Sequence, residues 1–318
     1  MRVHCTHRHR NEKWFTVKTG VKQGSALSLL LFIAYIEKVI QNFKVEWVER
    51  RKSGVFVYAD DIAFWGIDGE DMEEGMNIWN RCFERAGMKI NGEKTVMMSV
   101  RRERREEDLE VMIEGRRIET VDSFKYLGSV FCREGGTEEG ISERITKFGR
   151  CVSLFSPLLR DTAVQLRVKR IIYERILVPV ITYGAECWTT TVKTRSRVQA
   201  AEMRPLRAML GKSRRDRLRD EHVRGRVGVT PLCSKIEKLQ LGWLGHLERM
   251  DGEGMARRWW EWRPRGRRPR GRPRKEWRDE VEEVLERNRM PRTDVLRREG
   301  AFLNRDGWKR RLHRLTGT

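Results

Sequence analysis

At 318 residues the chain is long enough for two domains that each bury a core, and its 39% hydrophobic content with 27 glycines excludes disorder throughout. Its 67 Lys+Arg against 46 Asp+Glu leave a formal charge of +21, so the natural partner is a polyanion, nucleic acid first and an acidic membrane surface second. No apolar run reaches the roughly 18 residues of a membrane span, and the stretch 27–36 ends in Glu37-Lys38, so neither a membrane partner nor a signal peptide is expected.

In chain order, residues 14–18 read as a short strand. Residues 25–43 carry Leu27, Leu30, Leu31, Ala34 and Tyr35 at helical spacing, which predicts a buried helix capped by Ser25 or Ser28. Two short strands, 55–58 and 63–65, flank Asp60-Asp61 at a bend. An amphipathic helix over 71–86 ends at Gly87, and 88–100 returns to an extended pattern around an Asn91-Gly92 turn. The charged run 101–108 predicts an exposed loop, and 118–131 a further hairpin. From Ile141 the period is helical for most of the remainder, with Pro179 interrupting one stretch, Thr230-Pro231 opening another, and helices again over 276–287 and 294–315.

Between Trp262 and Lys275 the composition turns to Arg, Gly and Pro without an acid, a linker or an extended nucleic-acid contact. Residues 195–318 hold 35 basic and 18 acidic side chains, a net +17, against +4 for the rest. Six scattered cysteines, Cys5, Cys82, Cys132, Cys151, Cys187 and Cys233, fit reduced thiols in an intracellular protein. Cys5-Thr6-His7-Arg8-His9 groups three side chains able to bind zinc, at a spacing that suits zinc poorly.

Adjacent carboxylates at a hairpin tip raise each other's pKa unless a cation compensates, and a divalent metal is the usual compensation. Polymerases use this, with two Mg2+ ions roughly 4 Å apart activating a 3′-hydroxyl and neutralising phosphate charge. Asp-Asp alone is a weak signal because turns are rich in aspartate.

Four segments in order strengthen it. Phe56-Val57-Tyr58-Ala59-Asp60-Asp61 resembles the Tyr-x-Asp-Asp motif of reverse transcriptases, and Gly20-Val21-Lys22-Gln23-Gly24-Ser25-Ala26-Leu27-Ser28-Leu29-Leu30-Leu31-Phe32 resembles their Gly-Val-x-Gln-Gly-x-x-Leu-Ser-Pro-x-Leu-Phe segment, with Leu29 in place of proline. Residues 87–95, Gly-Met-Lys-Ile-Asn-Gly-Glu-Lys-Thr, resemble the Leu-x-x-Asn-x-x-Lys-Thr region, and Phe124-Lys125-Tyr126-Leu127-Gly128 resembles the primer-grip hairpin. Residues 176–188, with Pro179 and Tyr183-Gly184, resemble the thumb of non-LTR retrotransposon reverse transcriptases, and Gly242-Trp243-Leu244-Gly245-His246 with the Arg-Gly-Arg-Pro run resembles the region beyond it.

That resemblance implies an α+β fold: an incomplete palm with an antiparallel sheet over 1–133, thumb-like helices over 134–194, and a basic helical nucleic-acid-binding tail over 195–318. It implies RNA-directed DNA polymerisation with Mg2+, an RNA template and a DNA primer. Asp60 and Asp61 would hold the metals, Tyr58 would contact the primer terminus, and Gln23 and Gly24 would position template and nucleotide. Lys94 would protonate or neutralise the leaving pyrophosphate, and Tyr126, Leu127 and Gly128 would grip the primer. Plain sheet packing is the alternative for Tyr58 and Tyr126, and a solvated lysine the alternative for Lys94.

The family's other metal-binding aspartate precedes the Gly-Val-x-Gln-Gly segment. Here residues 1–19 contain no Asp and only Glu12 as an acid, so an inherited fragment with little activity of its own is expected. In the basic run, Arg265, Arg267, Arg268, Arg270, Arg272, Arg274 and Lys275 would meet duplex DNA. Arg270-Gly271-Arg272-Pro273 resembles a minor-groove AT-hook core, and a nonspecific phosphate contact or a nuclear-import segment is the alternative. Trp259, Trp260, Trp262 and Trp277 would either stack bases or close a small core, and His246 is expected to be packed. The rival function is a noncatalytic nucleic-acid-binding protein derived from a retroelement.

Overall fold

The computed structural model describes residues 2–7, 10–16, 20, 24–47, 54–66, 68–100, 111–113, 115–263, 275–290 and 302–315. The chain divides into two compact units, Met1–Leu127 and Gly128–Thr318.

The first unit opens with antiparallel strands β1 (Arg2–His7) and β2 (Arg10–Thr16). Helix α1 (Ala26–Glu46) follows, then the antiparallel pair β3 (Gly54–Tyr58) and β4 (Asp61–Trp65), then α2 (Gly69–Arg85). Short strands complete it: β5 (Val96–Met97), β6 (Met112–Ile113), β7 (Arg116–Arg117), β8 (Glu119–Thr120) and β9 (Ser123–Tyr126), with β5 parallel to β8 and β6 antiparallel to β7. The α2 pattern works as the sequence predicts. The Asp68 side chain caps it by accepting from the Asp71 N–H at 2.9 Å, Glu70 and Asp71 complement the N-terminal dipole, and Gly87 at φ +66° turns the chain away. Its apolar stripe, Ile78, Trp79, Cys82 and Phe83, meets Ile36, Val39, Ile40, Phe43 and Trp47 of the α1 region, with Val55, Val57, Ile62 and Phe64 of the β-hairpin packed against them. Phe43 lies edge-on to Trp79 at 4.4 Å. Gly75 lets α2 approach this closely, since a Cβ there would sit 2.6 Å from the Trp47 ring.

Two expectations change. The α1 helix is buried only in its second half; Leu27, Leu30, Leu31 and Tyr35 are exposed, because nearly every position from 27 to 36 is apolar and periodicity does not select a face. The helix also continues through Glu37-Lys38, and over Ala26–Val45 it is long and apolar enough to cross a membrane by length and composition. Its buried face of Ile36, Val39, Ile40 and Phe43 packs against α2. The turn expected at Asn91-Gly92 is present. The Asn91 side chain accepts from the N–H groups of Glu93 (3.1 Å) and Lys94 (3.2 Å), and its carbonyl accepts from the N–H groups of Lys94 and Thr95, which makes it an Asx turn.

The second unit begins with β10 (Ser129–Cys132) and continues in helices α3 (Glu138–Arg160), α4 (Leu166–Ile172), α5 (Val178–Thr182), α6 (Val192–Met209), α7 (Asp220–Val227), α8 (Leu232–Arg249), α9 (Met255–Glu261), α10 (Trp277–Arg287) and α11 (Arg305–Leu315). Pro179 does not end its helix. Between α4 and α5 the backbone widens into a π-helical turn, Tyr173–Leu177, with Val178 N–H bonded to the Tyr173 carbonyl. The wider turn accommodates a residue that lacks an N–H and crowds the preceding turn.

One core joins Ile141, Phe148, Tyr173, Leu177, Ile181, Leu206, Val223, Leu232 and Ile236, so it runs across position 194 rather than dividing there. A second core joins Leu241, Leu244, Leu247, Trp260, Val281, Val284, Leu285, Phe302, Trp308 and Leu312. Trp260 and Trp277 meet edge-on at 5.3 Å beside this core, whereas Trp259 and Trp262 are exposed. His246 is exposed next to Trp243, on the outer side of α8, contrary to the packed position expected. The glycine one position earlier has a steric purpose: a Cβ on Gly245 would lie 2.3 Å from Trp308 Nε1, which itself donates to the Leu241 carbonyl at 3.0 Å. Gly245→Ala is therefore expected to lower stability by about 1–3 kcal/mol through overpacking. Urea unfolding checks it, and an unchanged midpoint would mean that Trp308 moves aside freely.

Candidate active-site hairpin

The site is built on β3 and β4. Val55, Val57, Ile62 and Phe64 alternate toward the core, which sends Tyr58 outward, where it is 64% exposed and pairs in register with Asp61. Phe56 packs on Trp65 at 4.8 Å, and the Trp65 ring covers Gly54, where a Cβ would come within 2.1 Å of it. Ala59 and Asp60 form the two-residue turn. Ala59 takes φ +53°, a left-handed conformation that costs a non-glycine residue roughly 1–2 kcal/mol. Such strain is often found where a tip residue is held for function.

Asp60 and Asp61 are exposed, and among the described residues neither forms an ion pair. Tyr126 at the end of β9 donates its hydroxyl to the Asp61 carbonyl at 3.3 Å. Burial, and secondarily the Asp61 charge, raises the Tyr126 pKa above its ordinary value, which keeps it a protonated donor. Tyr58, Asp60, Asp61 and Tyr126 thus gather at one end of the hairpin. Lys94 is exposed on the Asx turn and pairs with neither aspartate. Gly24 sits at φ +81° just before α1, exposed and with open space around it, while Gln23 lies outside the described residues.

Among the described residues no group of three or more His, Cys, Asp or Glu side chains is arranged to hold a metal ion. The two carboxylates alone do not make a metal centre, and the Cys5 to His9 side chains lie outside the described ones. Among the described residues the cysteines form no disulfide.

In the second unit, Gly128 at φ +76° follows Leu127 at φ +47°, the turn between β9 and β10. The Gly128 carbonyl accepts a hydrogen bond from Arg144, whose guanidinium lies 4.2 Å over the Tyr183 ring. No motif pointed to Arg144; it is one of 67 basic residues, and only its position on α3 distinguishes it.

Of the basic run, Arg265, Arg267, Arg268, Arg270, Arg272 and Arg274 lie outside the described residues. Lys275 is described and is engaged within the protein. Its Nζ lies 2.7 Å from both Glu280 and Glu283 and donates to the Thr190 carbonyl at 3.1 Å. Glu280 is fully buried and also accepts from the N–H and hydroxyl of Thr190. Lys275 therefore anchors the start of α10, where the sequence alone suggested a phosphate contact.

Residues 3–131 match the model of the family described as reverse transcriptase (RNA-dependent DNA polymerase). A putative uncharacterized transposon-derived protein of Caenorhabditis elegans is 26% identical over 154 residues, 46% of this chain and 54% of that protein. A probable RNA-directed DNA polymerase from transposon BS of Drosophila melanogaster is 24% identical over 204 residues, 61% of this chain and 22% of that protein. The chain thus spans about half the length of the first relative and about a fifth of the second. No solved structure matches it at a significant level.

Proposed function

We propose that the chain carries a retrotransposon reverse transcriptase segment in residues 3–131 and serves RNA-directed DNA synthesis of the non-LTR type. The observation that carries the reading is the hairpin tip, where Tyr58, Asp60 and Asp61 stand together, with Tyr126 hydrogen-bonded to the Asp61 backbone. Asp60 is the reacting-centre carboxylate and Asp61 its support. Tyr58, Tyr126, Leu127 and Gly128 meet the primer, Gln23 and Gly24 the template and incoming nucleotide, and Lys94 the departing pyrophosphate. Mg2+ would supply charge neutralisation at the phosphates. Asp60 and Asp61 are the side chains that would hold it. Duplex DNA is met by the basic run 265–274, and the setting is nuclear.

Primer extension by the 318-residue polypeptide on an RNA template, with Mg2+ or Mn2+, is expected to be at trace level, because a missing metal ligand costs orders of magnitude in rate. Robust extension abolished by Asp60→Ala would overturn this and make Glu12 the first candidate for the third carboxylate.

A second reading is favoured by the +17 carried by residues 195–318. In it the chain is a noncatalytic nucleic-acid-binding protein and the hairpin a scaffold. That reading predicts equal affinity for blunt and recessed RNA–DNA hybrids, whereas a polymerase segment prefers the recessed 3′ end.

A further inference from the structure

Two segments with no obvious sequence relation meet in the second unit. One is the turn at Gly128, and the other is Tyr183-Gly184, at the end of α5. Gly128 has φ +76°, and a Cβ built on it would lie 3.3 Å from Arg144 Nη2 and 3.4 Å from Tyr183 Cε1. Gly184 has φ +73°, and its Cβ would lie 3.4 Å from Ser129 Oγ. Both glycines therefore combine a left-handed backbone with a close neighbour. Between them stands half-buried Arg144 of α3, donating to the Gly128 carbonyl while its planar group lies 4.2 Å over Tyr183.

We propose that Arg144 is a positioning residue, a latch that fixes the Gly128 turn in one conformation by holding its carbonyl while clamped against the Tyr183 ring. This rests on the reading of Gly128 as part of the primer-contacting hairpin. The chemistry selects arginine. A lysine ammonium could reach a carbonyl but has no planar group to lie flat on an aromatic face while directing an N–H sideways. The latch uses the ring face, so Tyr183→Phe is expected to keep the protection that Tyr183→Leu loses.

The full chain is tested as Arg144→Lys, Tyr183→Leu and Tyr183→Phe, with folding checked by circular dichroism. Hydrogen exchange of the Gly128 and Ser129 amides reads the latch itself. Fluorescence anisotropy with a DNA primer recessed on an RNA template, against a blunt hybrid of equal length, reads its consequence. Arg144→Lys and Tyr183→Leu are expected to speed exchange at these amides by about tenfold or more, the scale of one charge-assisted hydrogen bond. They should also abolish the preference for the recessed end, while Tyr183→Phe behaves as the parent. Unchanged exchange in Arg144→Lys overturns the latch. So does a retained recessed-end preference despite faster exchange, and so does an equal loss of affinity for both probes, the signature of a bulk phosphate contact. A parent protein that shows no recessed-end preference refutes the primer reading, and the latch is then judged by exchange alone.

Discussion

Glu202→Ala is expected to destabilise the helical unit by about 3–5 kcal/mol, the largest single effect anticipated in this chain. Glu202 is fully buried between α6 and its neighbours, and every donor near it is committed. Arg224 approaches with Nη2 at 2.7 Å and Nε at 3.1 Å, the Tyr173 hydroxyl donates at 3.0 Å, and the Leu232 N–H, at the start of α8, donates at 2.8 Å. Truncation leaves a guanidinium that is 9% exposed without its counter-charge and orphans two more buried donors. Against a total stability of about 5–15 kcal/mol, a loss of that size leaves little margin. Glu202→Gln keeps the shape and loses the charge, and should fall between the parent and Ala.

The same cluster gives a pH expectation. Burial, then the Glu202 charge, pushes the Tyr173 pKa well above the tyrosine range. A pKa raised on folding stabilises the protein below the unfolded-state value, so this contribution is complete at neutral pH and declines above about pH 10. Urea titration by circular dichroism checks both, and a Glu202→Ala loss under 1 kcal/mol would show that the cluster relaxes to admit water.

The second large effect concerns affinity. Replacing residues 264–274 with a neutral linker of equal length removes six arginines and is expected to flatten the slope of log K against log salt on duplex DNA by up to about 5, at roughly 0.9 per phosphate contact. Affinity at low salt should fall by orders of magnitude. The flanking cations are excluded from this estimate. Arg263 donates to the carbonyls of Trp260, Glu261 and Trp262, and Lys275 is held by Glu280 and Glu283. Lys275→Ala should accordingly cost stability more than affinity. If Arg270-Gly271-Arg272-Pro273 reads the minor groove, Arg270→Ala and Arg272→Ala cost more on A·T-rich than on G·C-rich duplexes. Equal costs leave the phosphate contact, and an unchanged salt slope after the replacement removes the segment from DNA binding.

What was legible in the sequence was what short-range chemistry dictates. Alternation around Asp60-Asp61 predicts the β3–β4 hairpin, and an acidic start, an apolar stripe and a closing glycine predict α2. Both signals lie within a few residues of the structure they specify. The α1 burial was illegible because Leu27 to Ile36 is apolar on every side, so only tertiary partners decide which face is covered. Asn91-Gly92 predicts a turn, and the turn forms on the Asn91 side-chain acceptor. The site divides in the same way. The carboxylate pair is a local motif, whereas Tyr126 reaches Asp61 across 65 positions, Arg144 joins Gly128 to Tyr183, and Lys275 is claimed by a buried glutamate and the Thr190 carbonyl.

Helix α8 contributes Leu232 and Ile236 to one core and Leu241, Leu244 and Leu247 to the other, along a single uninterrupted rod. Modules are exchanged between genes at points that few contacts cross, and this rod offers no such point: a junction within α8 strands half of each partner's apolar face in water. The basic C-terminal third is thus bound by its packing to the helices before it. Change in the arginine-rich segment 265–274 would then come residue by residue, while the helices on either side stayed fixed.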